Sequence, residues 1–280
     1  MGLFLKENEF KIGYKKRPND EYKALISQLD EKTKNKMELQ RTLLLAACIL
    51  FVFAFVMVLA LTGVGVDKSK SASGNVFVDK ESVSIECFGD SLTEGYIVKE
   101  DGSAGIAEQT YPKELQTKLT ELLHSDGNNY KFQELIVRNY GQSGSILQSL
   151  TYTRLSGTAD IVVILYTANN FLTGADYEGT LEANIDAVKN SGSQVFLVNY
   201  PICASSENVD KFMQANNYIS STAKLYELDL IDLNAYFSDL SDYTEEELFC
   251  RDKTHLTELG YQLMGDYIAE CIHQYYYEMY

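Results

Sequence analysis

Two hydrophobic periodicities divide this chain. From Leu43 to Leu61 the residues are LLLAACILFVFAFVMVLAL, an uninterrupted apolar run with no polar face. At ~1.5 Å per residue such a helix reaches about 28 Å, close to the ~30 Å hydrocarbon thickness of a bilayer. The run predicts a transmembrane helix over 42–66. A buried core helix rarely lacks a polar face over that length. The 42 residues ahead of the run are also more than the short basic region of a signal peptide, although cleavage near Ser71-Ala72-Ser73 would fit small-residue rules.

Beyond residue 80 the pattern changes. Short β-branched runs at Val83–Phe88, Phe132–Val137, Ile161–Tyr166, Val195–Asn199 and Leu228–Leu233 read as strands. Helical spacing appears at Pro112–His124, Glu178–Lys189, Asp210–Lys224 and Leu256–Tyr276. Strands alternating with helices predict an α/β domain built on a five-stranded parallel sheet covered on both faces. Four segments follow: a tail over 1–41, the span over 42–66, a Ser/Lys/Gly-rich tether over 67–80 and a globular domain over 81–280.

Charge sharpens this division. Residues 1–66 hold 10 Lys/Arg and 7 Asp/Glu, whereas 67–280 hold 14 and 33. A domain with a net charge of −19 on that count is a poor partner for a polyanion, which excludes nucleic acid as a ligand class. Lys32, Lys34, Lys36 and Arg41 precede the span while Lys68 and Lys70 follow it. The bias places the N-terminus in the cytoplasm and the domain outside the cell membrane.

In parallel sheets ligand sites lie at the C-terminal strand ends, and the candidate chemistry clusters there. The first strand runs into Gly89-Asp90-Ser91-Leu92-Thr93-Glu94-Gly95. A Ser there sits on a tight turn with its hydroxyl exposed, although by itself this is equally a helix-capping Asp-Ser turn. The second strand leads to Asn139-Tyr140-Gly141-Gln142-Ser143-Gly144 and the third to Tyr166-Thr167-Ala168-Asn169-Asn170. Glycine lets a backbone N–H approach a developing oxyanion, and an Asn amide can add a donor. Asp252-Lys253-Thr254-His255 stands before a helix that Thr257 can cap. That spacing lets Asp252 reach one ring nitrogen while the other faces a nucleophile; taken alone it is equally an exposed loop pair. His124 and His273 fall inside helical stretches and suggest no chemistry.

The ordered set of Ser, Gly, Asn and Asp-x-x-His resembles the SGNH (GDSL-type) hydrolase family over about residues 83–275. The third block departs from it, reading Thr167-Ala168-Asn169-Asn170 where the family has Gly-x-Asn-Asp. The resemblance implies a flavodoxin-like sandwich and a Ser-His-Asp mechanism with no metal or organic cofactor. Ser91 would be the nucleophile, His255 the base and Asp252 its partner. The N–H groups of Ser91 and Gly141 and the amide of Asn169 would form the oxyanion hole. Such a membrane-anchored ester hydrolase would remove O-acetyl or other short acyl groups from a cell-envelope glycan. The alternatives are a lipase, lysophospholipase or thioesterase acting on lipid acyl esters, and a catalytically weak binding or scaffold domain.

Other features add little. Cys203 and Cys250 both follow strand ends, which leaves a bridge open, but the five cysteines show no framework spacing and free thiols are expected. Glu245-Glu246-Glu247 reads as a solvated face, and the terminal tyrosines as a helix packing on the sheet.

Overall fold

The computed structural model describes residues 74–125, 127, 130–149 and 159–278. The expected tail over 1–41 and transmembrane helix over 42–66 lie outside the described residues. Among the described residues no helix is long and apolar enough to cross a membrane.

Five parallel strands form the sheet: β1 (Ser82–Gly89), β4 (Glu134–Gly141), β5 (Ile161–Leu165), β6 (Gln194–Val198) and β7 (Asp229–Ile231), in the order β4-β1-β5-β6-β7. β5 and β6 are buried at every position, as strands covered on both faces must be. β4 lies at an edge and carries exposed polar residues, which is why its apolar pattern stops at Val137 while its pairing continues to Gly141. Gly89 pairs in register with both Gly141 and Leu165, so three strand ends become level.

The helices of the wrapping layers match the periodic stretches. They are α3 (Tyr111–Ser125), α5 (Thr180–Asn190), α6 (Val209–Leu225) and α9 (Glu258–Tyr277). α3 packs on α9 and β4, while α5 and α6 pack on β6. The β1–α3–β4 and β5–α5–β6 connections step in opposite directions from the centre of the sheet, and right-handed crossovers then place α3 and α5 on opposite faces. α9 is capped as its sequence indicated, with Thr257 Oγ1 accepting from Gly260 N at 3.1 Å. Its buried Tyr261, Met264, Ile268, Ile272 and Tyr276 follow the 3.6-residue period.

Several short elements carry too little periodicity to be read. They are a hairpin of β2 (Tyr96–Val98) and β3 (Ala104–Ile106), and the helical turns α2 (Ser91–Glu94), α4 (Ala168–Thr173), α7 (Leu233–Asp239) and α8 (Glu245–Leu248). The acidic run forms α8, closed by a capping box in which Thr244 and Glu247 satisfy each other's backbone.

The stretch assigned to a tether over 67–80 is folded in its last part. α1 (Val76–Asp79) is capped by the Asn75 side chain, whose amide also donates to Tyr276 O at 2.9 Å. Phe77 is fully buried, with its ring against Tyr130, Phe132 and Tyr276 at 5.1–6.2 Å between centroids. Burying such a ring contributes about 1.5–3 kcal/mol, so the stable domain begins by Asn75 rather than at residue 81.

Candidate active site

β1 delivers the nucleophile candidate. A side chain at Gly89 would place its Cβ 1.8 Å from Thr93 Oγ1 and 2.7 Å from Leu165 O, so only glycine lets the strand turn into α2 here. Asp90 caps that turn, its Oδ1 accepting from Leu92 N at 3.1 Å. Ser91 follows as the first residue of α2, where helix geometry provides no intrahelical acceptor for its N–H.

His255 comes from the loop between α8 and α9. The loop is pinched by the Phe249–Leu256 bridge and by Cys250 N donating to His255 O at 2.7 Å. One oxygen of Asp252 shapes its interior, accepting from Thr254 N and His255 N, both at 3.1 Å. The other oxygen meets His255 Nδ1 at 2.6 Å. His255 Nε2 in turn lies 2.9 Å from Ser91 Oγ. Three-residue spacing thus serves two purposes, fixing the turn and orienting the ring. Burial alone would raise the Asp252 carboxyl, but the hydrogen bonds from the His255 ring and from the two backbone N–H groups outweigh it and hold the group below the usual carboxylate range.

The β2–β3 hairpin flanks this loop. The Tyr96 ring lies against His255 at 4.6 Å, Val98 N reaches Cys250 Sγ at 3.4 Å, and Arg251 donates to Glu100 O at 3.1 Å. Tyr96 touches the imidazole, yet its position in a three-residue strand left no sequence signal.

The expected oxyanion donors are arranged differently from one another. Asn169 Nδ2 donates to Ser145 O at 2.9 Å, which uses one of its two amide hydrogens and fixes its direction. The Gly141 N–H donates to Asn139 Oδ1 at 2.8 Å, so its single proton is directed at a neighbouring side chain. Gly141 is needed for close packing instead: a Cβ there would fall 2.0 Å from Glu94 N. Glu94 also binds the next loop, accepting from Ser143 N at 2.8 Å and from the Ser143 hydroxyl.

The altered third block has identifiable physical consequences. Thr167 occupies φ 132°, a region that favours glycine, and its hydroxyl is buried without a hydrogen-bond partner. Asn170 is fully buried; its Oδ1 accepts from Leu147 N at 2.9 Å, and its Nδ2 donates to Asp176 O at 2.7 Å and Gln148 Oε1 at 3.1 Å. An Asp at this position would lose the amide donor to Asp176 O and Gln148 Oε1, leaving Asp176 O with the Gln148 Nε2 donor alone.

Beneath the site lies a buried group that the sequence motifs left unassigned. Asp90 Oδ2 accepts from Tyr200 Oη at 2.7 Å, and Tyr200 Oη accepts from Ala168 N at 3.2 Å. Desolvation pushes Asp90 up to about 6, against the opposing pull of the Tyr200 hydroxyl and the Leu92 N–H. Tyr200 is indistinguishable in sequence from any core tyrosine after a strand. Cys87, Cys203, Cys250 and Cys271 are all free thiols, so Cys203 and Cys250 do not pair.

Known proteins share this architecture. A lipolytic protein of the G-D-S-L family from Desulfitobacterium hafniense DCB-2 superposes with a TM-score of 0.53 at 19% identity, covering 67% of this chain and 98% of its own. The lipase/acylhydrolase from Enterococcus faecalis gives 0.53 at 21%, covering 69% and 96%. An acetyl xylan esterase, AlAXEase, gives 0.52 at 22%, covering 68% and 100%. At these identities the likeness concerns the fold. No curated protein sequence matches the chain. Residues 87–263 match the family model of the GDSL-like lipases and acylhydrolases, spanning the Ser91 turn, the Asn169 loop and His255. With the motif, the sheet order and the matched length in agreement, this chain belongs to the GDSL-like lipase/acylhydrolase family.

Proposed function

We propose that this protein is a Ser-His-Asp carboxylic ester hydrolase, and the hydrogen-bonded series Ser91–His255–Asp252 is the observation that carries the reading. Neutral His255 takes the Ser91 proton as Oγ attacks the ester carbonyl, and the resulting imidazolium returns that proton to the departing alcohol. Water then attacks the acyl-Ser91 ester with His255 again as base, releasing the acid and restoring the hydroxyl. Asp252 keeps the Nδ1 proton in place and balances the charge on the ring. The Ser91 N–H and the second amide hydrogen of Asn169 stabilise the tetrahedral oxyanion. Gly141 contributes a third donor only if its N–H leaves Asn139 Oδ1 as charge develops.

The substrate in this reading is a short acyl ester, foremost an O-acetyl group, on a cell-envelope glycan. The apolar run over 42–66 and the basic residues ahead of it support a single-pass anchor with the domain outside the cell. Turnover of nitrophenyl esters of increasing chain length tests the assignment. Ser91-dependent hydrolysis that falls steeply beyond acetate supports it. Preference for long chains moves the substrate to lipid esters, and absence of Ser91-dependent turnover leaves a scaffold domain. Protease added to intact cells tests the topology: the domain should be degraded and the tail spared.

A further inference from the structure

Tyr200 stands two residues past the end of β6, outside all the motif blocks, yet its hydroxyl joins two of them. It donates to Asp90 Oδ2 at 2.7 Å, one residue before Ser91, and accepts from Ala168 N at 3.2 Å, one residue before Asn169. Ala168 is the first residue of α4, and no side chain of Thr167 caps that helix. The N–H of this first helical residue has no intrahelical acceptor and is met by the Tyr200 hydroxyl. The tyrosine itself is held firmly. Its ring is 1% exposed and lies edge-on to Phe212, and its backbone N–H and C=O are both bonded to the Asn216 side chain on α6 at 2.8 Å.

We propose that Tyr200 is a positioning residue that sets the spacing between the nucleophile turn and the Asn169 amide. The inference rests on the ester-hydrolase reading above. Ser91 is placed through Asp90, and Asn169 through Ala168; one hydroxyl on a pinned side chain therefore fixes the distance over which the oxyanion must be held. Burial and the adjacent Asp90 carboxylate keep the phenol protonated well past its ordinary range, so the donor is constant. Misplacement of either donor or nucleophile by a fraction of an ångström penalises the transition state more than substrate binding, because the oxyanion exists only in the former.

The test is Tyr200→Phe, which retains the ring and removes the hydroxyl, assayed on nitrophenyl acetate alone and combined with Asn169→Ala. The expected result is a kcat lowered about tenfold, a KM within about twofold of wild type, and a penalty from Tyr200→Phe that shrinks below about threefold once Asn169 is absent. A melting temperature that drops while kcat is retained, or an equal loss of kcat in both backgrounds, overturns the positioning role and leaves Tyr200 as core. Asn216→Ala provides a second route if Tyr200→Phe does not fold: it loosens the Tyr200 backbone and should reproduce the kcat-specific loss at about threefold, and an unchanged kcat in the folded variant counts against the proposal. Failure of the hydrolase reading itself is separately visible, as a wild-type protein whose turnover does not depend on Ser91.

Discussion

The turn after β1 and the turn after β5 both end at a residue of the proposed chemistry, and each stores a different kind of cost. In the Ser91 turn no residue other than glycine takes a positive φ, glycine occupies the closest approach, and both oxygens of Asp90 are hydrogen-bonded. Its expense is electrostatic, a carboxyl at Asp90 buried to 2% exposure beside the nucleophile. The Asn169 turn contains no ionisable group between Thr167 and Asn170, and its expense is conformational, a threonine at φ 132° with an orphaned hydroxyl. A cost of the first kind varies with pH and one of the second kind does not. The two halves of one site can therefore be separated by titration and mutation.

The largest effect should come from the Ser91 turn and its partner. Ser91→Ala and His255→Ala should each lower kcat at least about 10³-fold, with the double variant little worse than either, because the two groups act as one unit. A fluorophosphonate probe should label Ser91 in the wild type alone. Additive losses, or labelling elsewhere, would separate the residues and break the comparison at its first term. On the other turn Asn169→Ala should lower kcat by about 10²–10³, or ~2.7–4 kcal/mol, with the fold unchanged by circular dichroism. A wild-type rate would remove the β5 turn from the chemistry altogether.

The electrostatic cost has a definite sign. The Asp90 carboxyl is raised to about 6 in the folded protein from an ordinary value near 4, so on raising pH the unfolded chain loses this proton first. Its contribution is therefore a loss of stability as pH rises from ~4 to ~6, about 3 kcal/mol in all, constant above that window. Asp90→Asn should flatten this segment of a urea-denaturation pH profile. An unaltered slope would show that Asp90 does not titrate there.

Conformational cost gives the smaller effects. Asn170→Asp restores the family residue but removes the amide donor shared by Asp176 O and Gln148 Oε1 at a fully buried position, and should destabilise the domain by about 1–3 kcal/mol in thermal unfolding. An equally stable variant would mean that Gln148 and the Asp176 carbonyl can rearrange around a carboxylate. Thr167→Gly should relieve the positive φ and the orphaned hydroxyl, offset in part by glycine's entropy, for a gain of about 1 kcal/mol or ~2–4 °C in Tm at unchanged pH dependence. A lowered Tm would place the strain elsewhere.

Much of the sheet was legible because its strands are apolar runs and its helices keep a 3.6-residue stripe. The proximity of Ser91, Asp252 and His255 follows from their place at strand ends and in the last loop. What stayed hidden has physical reasons. The β2–β3 hairpin has three-residue strands, too short for alternation to register. β4 continues past its apolar residues because an edge strand needs pairing more than burial. Phe77 looked like tether because one buried ring in a Ser/Lys/Gly-rich stretch leaves no period. Gly141 matched a motif position, but whether a glycine's N–H faces a ligand or a neighbour depends on a single hydrogen bond, here to Asn139. Tyr200 is the same problem reversed, a residue whose role is carried by one hydroxyl and not by a pattern.

If the chain is anchored as proposed, the docking of Phe77 also decides where mechanical load enters the domain. The socket of Tyr130, Phe132 and Tyr276 lies by the start of β4, with Phe132 N bonded to Phe77 O at 3.0 Å, whereas Ser91 follows the far end of β1. Those eight residues of β1 span about 26 Å at ~3.3 Å each. A pull transmitted through residue 74 is first borne by α1 and the Phe77 ring, a sheet length away from the loops that hold Asp252 and His255. In the proposed anchored topology the ring would act as a strain relief, like the clamp where a cable meets its housing, and the site beyond it would be insulated from tension on the anchor.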